Sequence, residues 1–509
     1  MPELHASEQR PSGQKWLLPT LLIPAFVSLL AVSSVNVILT SVSHSLEAGS
    51  SGLQLVISGY ALVFGVLLVP AGRAGDVLGR GRLFAIGMFI FGVGSLASGL
   101  APNIVMLNLA RLVMGVGSGL LNPQVTGMIQ QYYAGEARGR AFGLFGGVIG
   151  VSVAVGPVLS GGLIGWLGAD WGWRASFLIN VPFALVGVWA ARRYLPASAW
   201  SRRSADGEPP QSVSGAGTNR AGMDLDPVGM LLLAAATLLV MIPFMKSSGG
   251  VRVWLLEILG IAVAGAWVAW ERRYRARGGS PMVDLRLFTI PSFAYGSLAI
   301  AVYFMGYTSI WIITAQYLQA GLGYSALASG LMGLPASVAS AVGASVSGRS
   351  VTRVGRVMVL RGMVLGLVGL GATVVVVHLN AVLALSPWWM AVTLLLLGAG
   401  QGLVVSPNQT LSLADVPLPY AGAAGGIIQT GERIGTAIGI SAITGLAFSV
   451  ARGSGWHTAS QVGLGAIAAV IAVSALVAWA DLRASARRDR RPPSLGQAGG
   501  VPDEPGTAV

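Results

Sequence analysis

The sequence predicts an all-α polytopic membrane protein of fourteen helices, and three observations predict it. Of 509 residues, 54% are hydrophobic and only 10% are charged, whereas soluble chains carry about 25% charged residues. So apolar a chain would aggregate in water, and lipid is the solvent that suits it. The apolar residues fall in runs of the roughly 20 needed to cross a bilayer. The basic residues alternate from side to side of these runs as the positive-inside rule requires.

Taken in order, the runs lie near 16–42, 54–71, 83–101, 104–129, 140–166, 174–196, 227–245, 253–270, 293–318, 326–347, 357–379, 384–406, 421–449 and 461–480. The first is longer than a signal-peptide core and has no clear small-residue cleavage site, so it reads as a spanning helix after a polar tail at 1–15. Runs seven and eight are joined by a short loop and form a hairpin. With the N-terminus in the cytoplasm, only Arg174, Lys246, Arg252 and Arg452 of the 32 Lys and Arg fall on the far side, and Arg111 and Arg433 lie within helices. One missed helix would scramble that alternation. Both termini are therefore expected in the cytoplasm. Segments 197–223 and 485–509 are rich in Ser, Gly, Pro and Arg and read as disordered.

Composition also excludes function classes. There is no cysteine, and His5, His44, His378 and His457 are scattered. Thiolate sites, a Cys nucleophile and a His-based metal centre are thereby excluded, and no nucleophile–base set or cofactor motif is visible. The chain reads as no enzyme and as needing no cofactor. The net charge of +13 sits in short clusters between apolar runs, not on one soluble face, so nucleic acid is not a partner.

An internal repeat organises the chain. GRAGDVLGR (Gly72–Arg80) recurs as GRSVTRVGR (Gly348–Arg356), each copy after the second helix of a six-helix unit if 227–270 is set aside as an inserted pair. The expected plan is a tail at 1–15, a six-helix half at 16–196, a linker at 197–226, the inserted pair at 227–270, a loop at 271–292, a second half at 293–480 and a tail at 481–509. Repeats of this kind place a substrate site between the halves near the midplane.

Several residues stand out on physical grounds. Gly72 and Gly79 permit a tight turn, and Asp76, the one acid in a basic loop, can join Arg80 in charge-assisted contacts that latch the halves; Arg82 reads as a topology-setting charge. Arg111 within a helix is costly and calls for an interior partner. Gly156-Pro157 kinks its helix, and Gly161 and Gly162 allow close packing. In DWGWRASFLINVPF (Asp170–Phe183) the tryptophans suit the bilayer interface, and Arg174 can meet headgroups or a loop carboxylate. Glu432 lies roughly 18 Å along its helix from the inner end at 1.5 Å per residue, on a face shared with Gly425, Gln429, Gly435, Thr436 and Gly439. An intramembrane carboxylate there is a proton-relay candidate or one half of a structural ion pair, and both readings stay open. Its neighbour Arg433 points about 100° away and needs its own partner. Helix phase gives Asn36, Tyr60, Gln124, Tyr303, Trp311, Gln316, Gln401, Asn408 and Gln429 as lining for a mostly apolar pocket.

These motifs, with DLDPVG (Asp224–Gly229), PMVDLRLF (Pro281–Phe288), QYLQAGLGYSALASG (Gln316–Gly330) and GIIQTGERIGTAIG (Gly426–Gly439), together resemble the fourteen-helix drug:proton antiporters of the major facilitator superfamily over residues 16–480. The resemblance implies the major facilitator fold, with two six-helix halves and an inserted helix pair. It implies a bacterial inner-membrane exporter of amphipathic drugs or antibiotics, working by alternating access with protons, a small-molecule substrate and the bilayer as partners. It places Arg111 in a motif linked to proton coupling, beside which Glu432 and Arg433 are coupling candidates on the depth argument above, and the Gly156–Gly162 segment in the motif that marks exporters. One departure counts against coupling: where helix 1 of the family carries Asp in L-D-x-T-x-x-N-V, this chain reads LAVSSVNV, with Ala31 at that position and Asn36 retained. An uncoupled facilitator or importer, and a non-transporting scaffold or sensor, are the alternative readings.

Overall fold

The computed structural model describes residues 14–201, 226–245, 251–279 and 281–489, and every regular element among them is helical. The first half comprises α1 (Gln14–Ser33), α2 (Val35–Ser45), α3 (Ser50–Leu78), α4 (Arg80–Gly99), α5 (Ile104–Tyr132), α6 (Gly135–Leu178) and α7 (Asn180–Tyr194), followed by the short α8 (Ala197–Trp200). A hairpin follows, α9 (Pro227–Met245) and α10 (Val251–Ala276). The second half holds α11 (Pro291–Gln316), α12 (Ala326–Val354), α13 (Val357–Leu383), α14 (Trp389–Ser412), α15 (Ala421–Gly439) and α16 (Gly445–Asp489).

Eleven stretches among the described residues are long and apolar enough to span a membrane. Two of them, Gly135–Tyr194 and Leu418–Arg483, each fold back at a glycine, Gly168 (φ 79°) and Gly455 (φ 76°), so each crosses twice. Such φ values suit a residue without Cβ. With the shorter apolar helix Pro227–Pro243, the crossings number fourteen, as the apolar runs predict. The run at 16–42 is broken at Ser34 into α1 and α2. Helix α8 and the last turns of α16 lie in segments that composition marked as linker and tail; the rest of those segments, and most of the N-terminal tail, lies outside the described residues.

Lipid gives apolar side chains no reason to leave it, so small residues hold the helices together. The seam between α3 and α15 is made this way. A methyl on Gly72 would strike the Gly422 carbonyl, and one on Gly426 would lie 2.6 Å from the Leu68 carbonyl. Across the pseudo-symmetric seam, a methyl on Gly139 of α6 would lie 2.5 Å from the Gly348 carbonyl of α12, and one on Gly143 would lie 2.8 Å from the Ala344 carbonyl. Both seams lie at the end of the bundle carrying the Gly79 and Gly355 turns with Arg80, Arg138, Arg140, Arg353 and Arg356, here termed the basic end. Among the glycines of α6, Gly139, Gly143 and Gly150 approach α12, while Gly156 meets Ser33 of its own half and Gly162 meets nothing within 4 Å. Among those of α15, Gly422 and Gly426 approach α3, while Gly435 and Gly439 pack on Ala301 and Met305 of α11. The close glycine contacts between the halves thus cluster towards the basic end.

One expectation for Asp170–Phe183 is corrected. Trp173 is fully buried, edge-on to Phe177 at 6.2 Å, while Trp166 and Trp171 are exposed as interface residues are. Arg174 donates to the Gly99 and Ala101 carbonyls (3.2 and 2.8 Å) and stacks on Trp173 at 4.4 Å. Those carbonyls end α4 and have no partner within the helix, so the guanidinium serves as their C-cap.

Candidate functional site

The latch is built from a helix end, a glycine and a helix start. α3 ends at Gly79, whose φ of 103° turns the chain directly into α4. That turn sets Arg80 back over Asp76, whose Oδ1 accepts from Arg80 Nε (3.0 Å) and Nη2 (2.8 Å). Asp76 then reaches the other half. Its Oδ1 and Oδ2 accept from the Gly422 and Ala423 N–H groups, each at 3.1 Å. These amides open α15 and have no partner within their own helix, so a carboxylate from the opposite half caps them and meets the positive end of the helix dipole. Arg80 also bonds the Gly127 carbonyl (2.9 Å), Gln131 Oε1 (2.6 Å) and, across the seam, the Leu418 carbonyl (3.0 Å). Gln130 adds a bond to the Leu413 carbonyl at 2.6 Å. Sequence reasoning named Gly72, Asp76, Gly79 and Arg80 but missed Gln130 and the α15 amides. In the second copy of the repeat, Arg356 instead pairs with Asp481 on α16, within its own half. Gly72→Ala is expected to destabilise the closed seam by about 1–3 kcal/mol through overpacking, read as a several-fold loss of transport at unchanged expression. Full activity would mean that the seam yields to one methyl.

At mid-depth, two arginines sit on one aromatic pair. Tyr60 and Phe64 lie one turn apart on α3, with ring centroids 5.8 Å apart. Arg111 of α5, 1% exposed, stacks over Tyr60 at 4.3 Å and donates to the Val56 carbonyl at 3.0 Å. Arg433 of α15 stacks over Phe64 from the other half at 4.6 Å. The sequence asked for a partner for each arginine, and an aromatic face serves both, since a ring quadrupole attracts a desolvated cation. Glu432 is half-buried on the α15 face whose other members pack on α5 and α11: Gly425 against Thr126, Gly435 against Ala301, and Thr436 hydrogen-bonded to Thr308 at 3.2 Å. Among the described residues it makes no hydrogen bond or ion pair.

The second half contributes an aromatic stack in which Tyr303 and Tyr307 are buried and Trp311 is half-buried. Tyr303, Tyr307 and Trp311 stand at four-residue intervals on α11; Tyr303 and Tyr307 stack at 5.4 Å, and Trp311 meets Tyr307 edge-on at 6.1 Å. Gln401 of α14 accepts from Tyr307 Oη (2.5 Å) and Ser340 Oγ (2.9 Å). Tyr307 was missed, although its position midway between Tyr303 and Trp311 was a readable signal. Half-buried Gln316 ends α11.

The remaining candidates lie elsewhere. Tyr60 Oη bonds Ser118 Oγ (2.6 Å) and the Ser28 carbonyl (3.2 Å) inside the first half. Gln124 donates to the Ala71 carbonyl (2.8 Å) and Asn408 to the Gly296 carbonyl (3.1 Å), so each ties two helices. Gln429 is buried with its Nε2 unpartnered. Asn36 lies on α2, and its side chain is outside what the structure describes. Gly156 and Pro157 face the α1–α2 break, where Ser33 Oγ donates to the Ser152 carbonyl (3.1 Å) and Ser34 Oγ to the Gly156 carbonyl (3.3 Å). Gly161 approaches Val37 only loosely, and Gly162 has open space. No group of three or more His, Cys, Asp or Glu that could hold a metal occurs among the described residues.

A two-half helical bundle with a cross-half latch and a mid-depth charged site has a counterpart in known proteins: the Major Facilitator Superfamily profile matches residues 21–440. The chain belongs to the Major Facilitator Superfamily. Among superfamily relatives, it is 30% identical over 457 residues to the "Probable actinorhodin transporter" of Streptomyces coelicolor, covering 88% of this chain and 75% of that protein. It is 29% identical over 421 residues to "Multidrug resistance protein Stp" of Mycobacterium tuberculosis, covering 82% and 73%. Among solved structures, the human organic anion transporter MFSD10 superposes with a TM-score of 0.61 at 14% identity, covering 92% of this chain and 100% of that one. The superfamily fold is thereby established, and the chain is a multi-pass membrane transporter whose relatives include antibiotic and multidrug resistance proteins.

Proposed function

We propose that this transporter exports amphipathic, drug-like molecules from a bacterial cytoplasm in exchange for protons, by alternating access, with both termini and the basic end in the cytoplasm. The observation that carries the reading is Glu432: a mid-depth carboxylate with no hydrogen bond or ion pair among the described residues. A carboxylate with no fixed partner can take and release a proton without breaking structure. The close contacts between the halves cluster towards the basic end, which corresponds to an outward-facing state held by the Asp76–α15 cap. Binding a proton at Glu432 from outside removes a buried charge and favours closing the site there, and the latch must then release. The substrate class rests on half-buried Trp311 and Gln401, beside the buried Tyr303–Tyr307 stack, an apolar lining with a polar anchor suited to flat apolar molecules. The relatives named for actinorhodin transport and multidrug resistance support the same class.

One observation favours a second reading, an uncoupled facilitator. Ala31, at the position of the family's helix 1 Asp, is 2% exposed in the apolar core of the first half and supplies no acid there. The deciding measurement is proton movement in energised inverted vesicles on adding a panel of amphipathic compounds. Discharge of the pH gradient by one or more of them is expected. Compounds that cross without moving protons would establish the facilitator instead.

A further inference from the structure

The inserted pair α9–α10 has no part in the transport reading, yet α9 runs along the seam between the halves. Near its start, Met230 and Leu233 pack, with Ile427 of α15, against buried Val69 of α3, Met282 and Val283. Further along, Ala236, Thr237 and Met241 are each 3% exposed. From Met230 to Met241 the helix covers about 16 Å at 1.5 Å per residue, from the latched seam to the depth of Arg433. α10 packs behind it: a methyl on Gly260 would lie 3.0 Å from Val240 and 3.1 Å from Leu239. Leu255, Ile258, Leu259 and Ile261 of α10 are exposed.

α9 meets the charged site at a notch. Gly65 of α3 has no side chain, and a methyl placed there would lie 3.4 Å from Met241 Sδ and 3.5 Å from Arg433 Cβ. Three helices thus converge on one glycine: α3 with Gly65, α15 with Arg433 and α9 with Met241. The Gly65 carbonyl accepts from Thr430 Oγ1 of α15 at 3.4 Å, and the residue before it, Phe64, carries the Arg433 guanidinium. An acyl chain entering the notch would set hydrocarbon against a cation, which is costly, and would disturb the attraction between that cation and the ring. A methionine suits this place. Its unbranched thioether fills irregular gaps, as a wall must when α3 and α15 shift past each other.

We propose that α9 is the lipid-side wall of the mid-depth charged site, with Met241 a positioning residue that keeps acyl chains out of the Gly65 notch and the Arg433 guanidinium on Phe64. The consequence for transport rests on the coupling role assigned to Glu432. The charge of Arg433 acts on that neighbouring carboxylate, so a displaced guanidinium changes the field in which Glu432 exchanges its proton.

A phospholipid carrying a photoactivated diazirine midway along its acyl chain tests the wall in proteoliposomes, with adducts located by mass spectrometry. In the unmodified chain, adducts at Phe64–Gly65 and Arg433 are expected to be several-fold rarer than at Ile258 and Leu259 of α10, which are 66% and 50% exposed. Met241→Ala is expected to raise them several-fold, and the volume-conserving Met241→Leu to leave them low. Adducts at Phe64–Gly65 as frequent as at Ile258 in the unmodified chain overturn the proposal without any variant. So does a Met241→Ala chain labelled no more than the unmodified one. The positioning role is read from the pH dependence of substrate-driven proton movement. Its midpoint is expected to move by at least about 0.5 pH unit in Met241→Ala and to stay in place in Met241→Leu. A fixed midpoint alongside increased labelling overturns that role. If the unmodified chain moves no protons, the coupling reading fails and the ring-current shift of the Arg433 guanidinium in NMR spectra decides instead. Its loss in Met241→Ala but not in Met241→Leu supports the positioning role, and its persistence in both overturns it.

Discussion

Glu432→Gln is expected to abolish substrate-driven proton movement in inverted vesicles while leaving the protein as stable as the unmodified chain, or slightly more so. The two halves of that expectation separate the two readings of this residue. If Glu432 were one member of a buried ion pair, neutralising it would strand the partner charge and cost about 3–5 kcal/mol. The structure shows no direct ion pair or hydrogen bond to it among the described residues: the guanidinium of Arg433, its neighbour in sequence, stacks on the face of Phe64. Glutamine therefore removes a desolvated charge without breaking a bond, and thermal unfolding in detergent should not fall. Proton movement should drop to the level of vesicles lacking the transporter, because glutamine fills the position but does not titrate. A variant that unfolds markedly earlier would return Glu432 to a structural role. One that is stable and still moves protons would shift the coupling to another group.

The second large effect belongs to Asp76. Asp76→Ala strands the Arg80 guanidinium, which is 7% exposed in its side chain, and uncaps two amides of α15. Because the cap joins opposite halves, it exists only while the basic end is closed. Its loss should therefore change the balance of states more than overall stability. Breaking a buried charged pair costs about 3–5 kcal/mol, which corresponds to a change of roughly a hundredfold or more in the ratio of closed to open basic ends. The chain contains no cysteine, so spin labels on Arg140→Cys and Arg349→Cys, exposed on the facing ends of α6 and α12, would report that distance without background. The short distance should dominate in the unmodified chain and become the minor population in Asp76→Ala. An unchanged distribution would mean that the glycine seams alone hold the end shut.

These expectations show which parts of the site could be read from sequence. Asp76 was legible because one acid among arginines in a Gly-bounded turn has few structural uses. Its true partners were not, because the Gly422 and Ala423 amides are main-chain groups that no side-chain pattern marks. Arg111 and Arg433 were legible as costly intramembrane cations needing partners, but the sequence could not select Tyr60 and Phe64 among its aromatics. Helix phase grouped Tyr60, Gln124 and Asn408 with Gln401 as pocket lining. In the fold the first three tie neighbouring helices within their own halves, while Gln401 meets the aromatic stack. A polar residue avoids hydrocarbon equally well by facing a cavity or a neighbouring helix, so hydropathy treats the two alike.

What the sequence by itself determined is the number and order of the crossings. The bilayer sets a minimum apolar length for each helix, every main-chain hydrogen bond is satisfied within the helix, and basic residues stay on one side, so local composition suffices. What only the tertiary structure decided is where those helices meet. The breaks at Ser34, Gly168 and Gly455 and the Gly72–Gly422 and Gly143–Ala344 seams bring together residues that are remote in sequence or separated by a turn. Helix contact in lipid depends on close fit between small residues and on polar groups finding one another, and that information resides in the three-dimensional arrangement of helices whose surfaces look much alike one at a time.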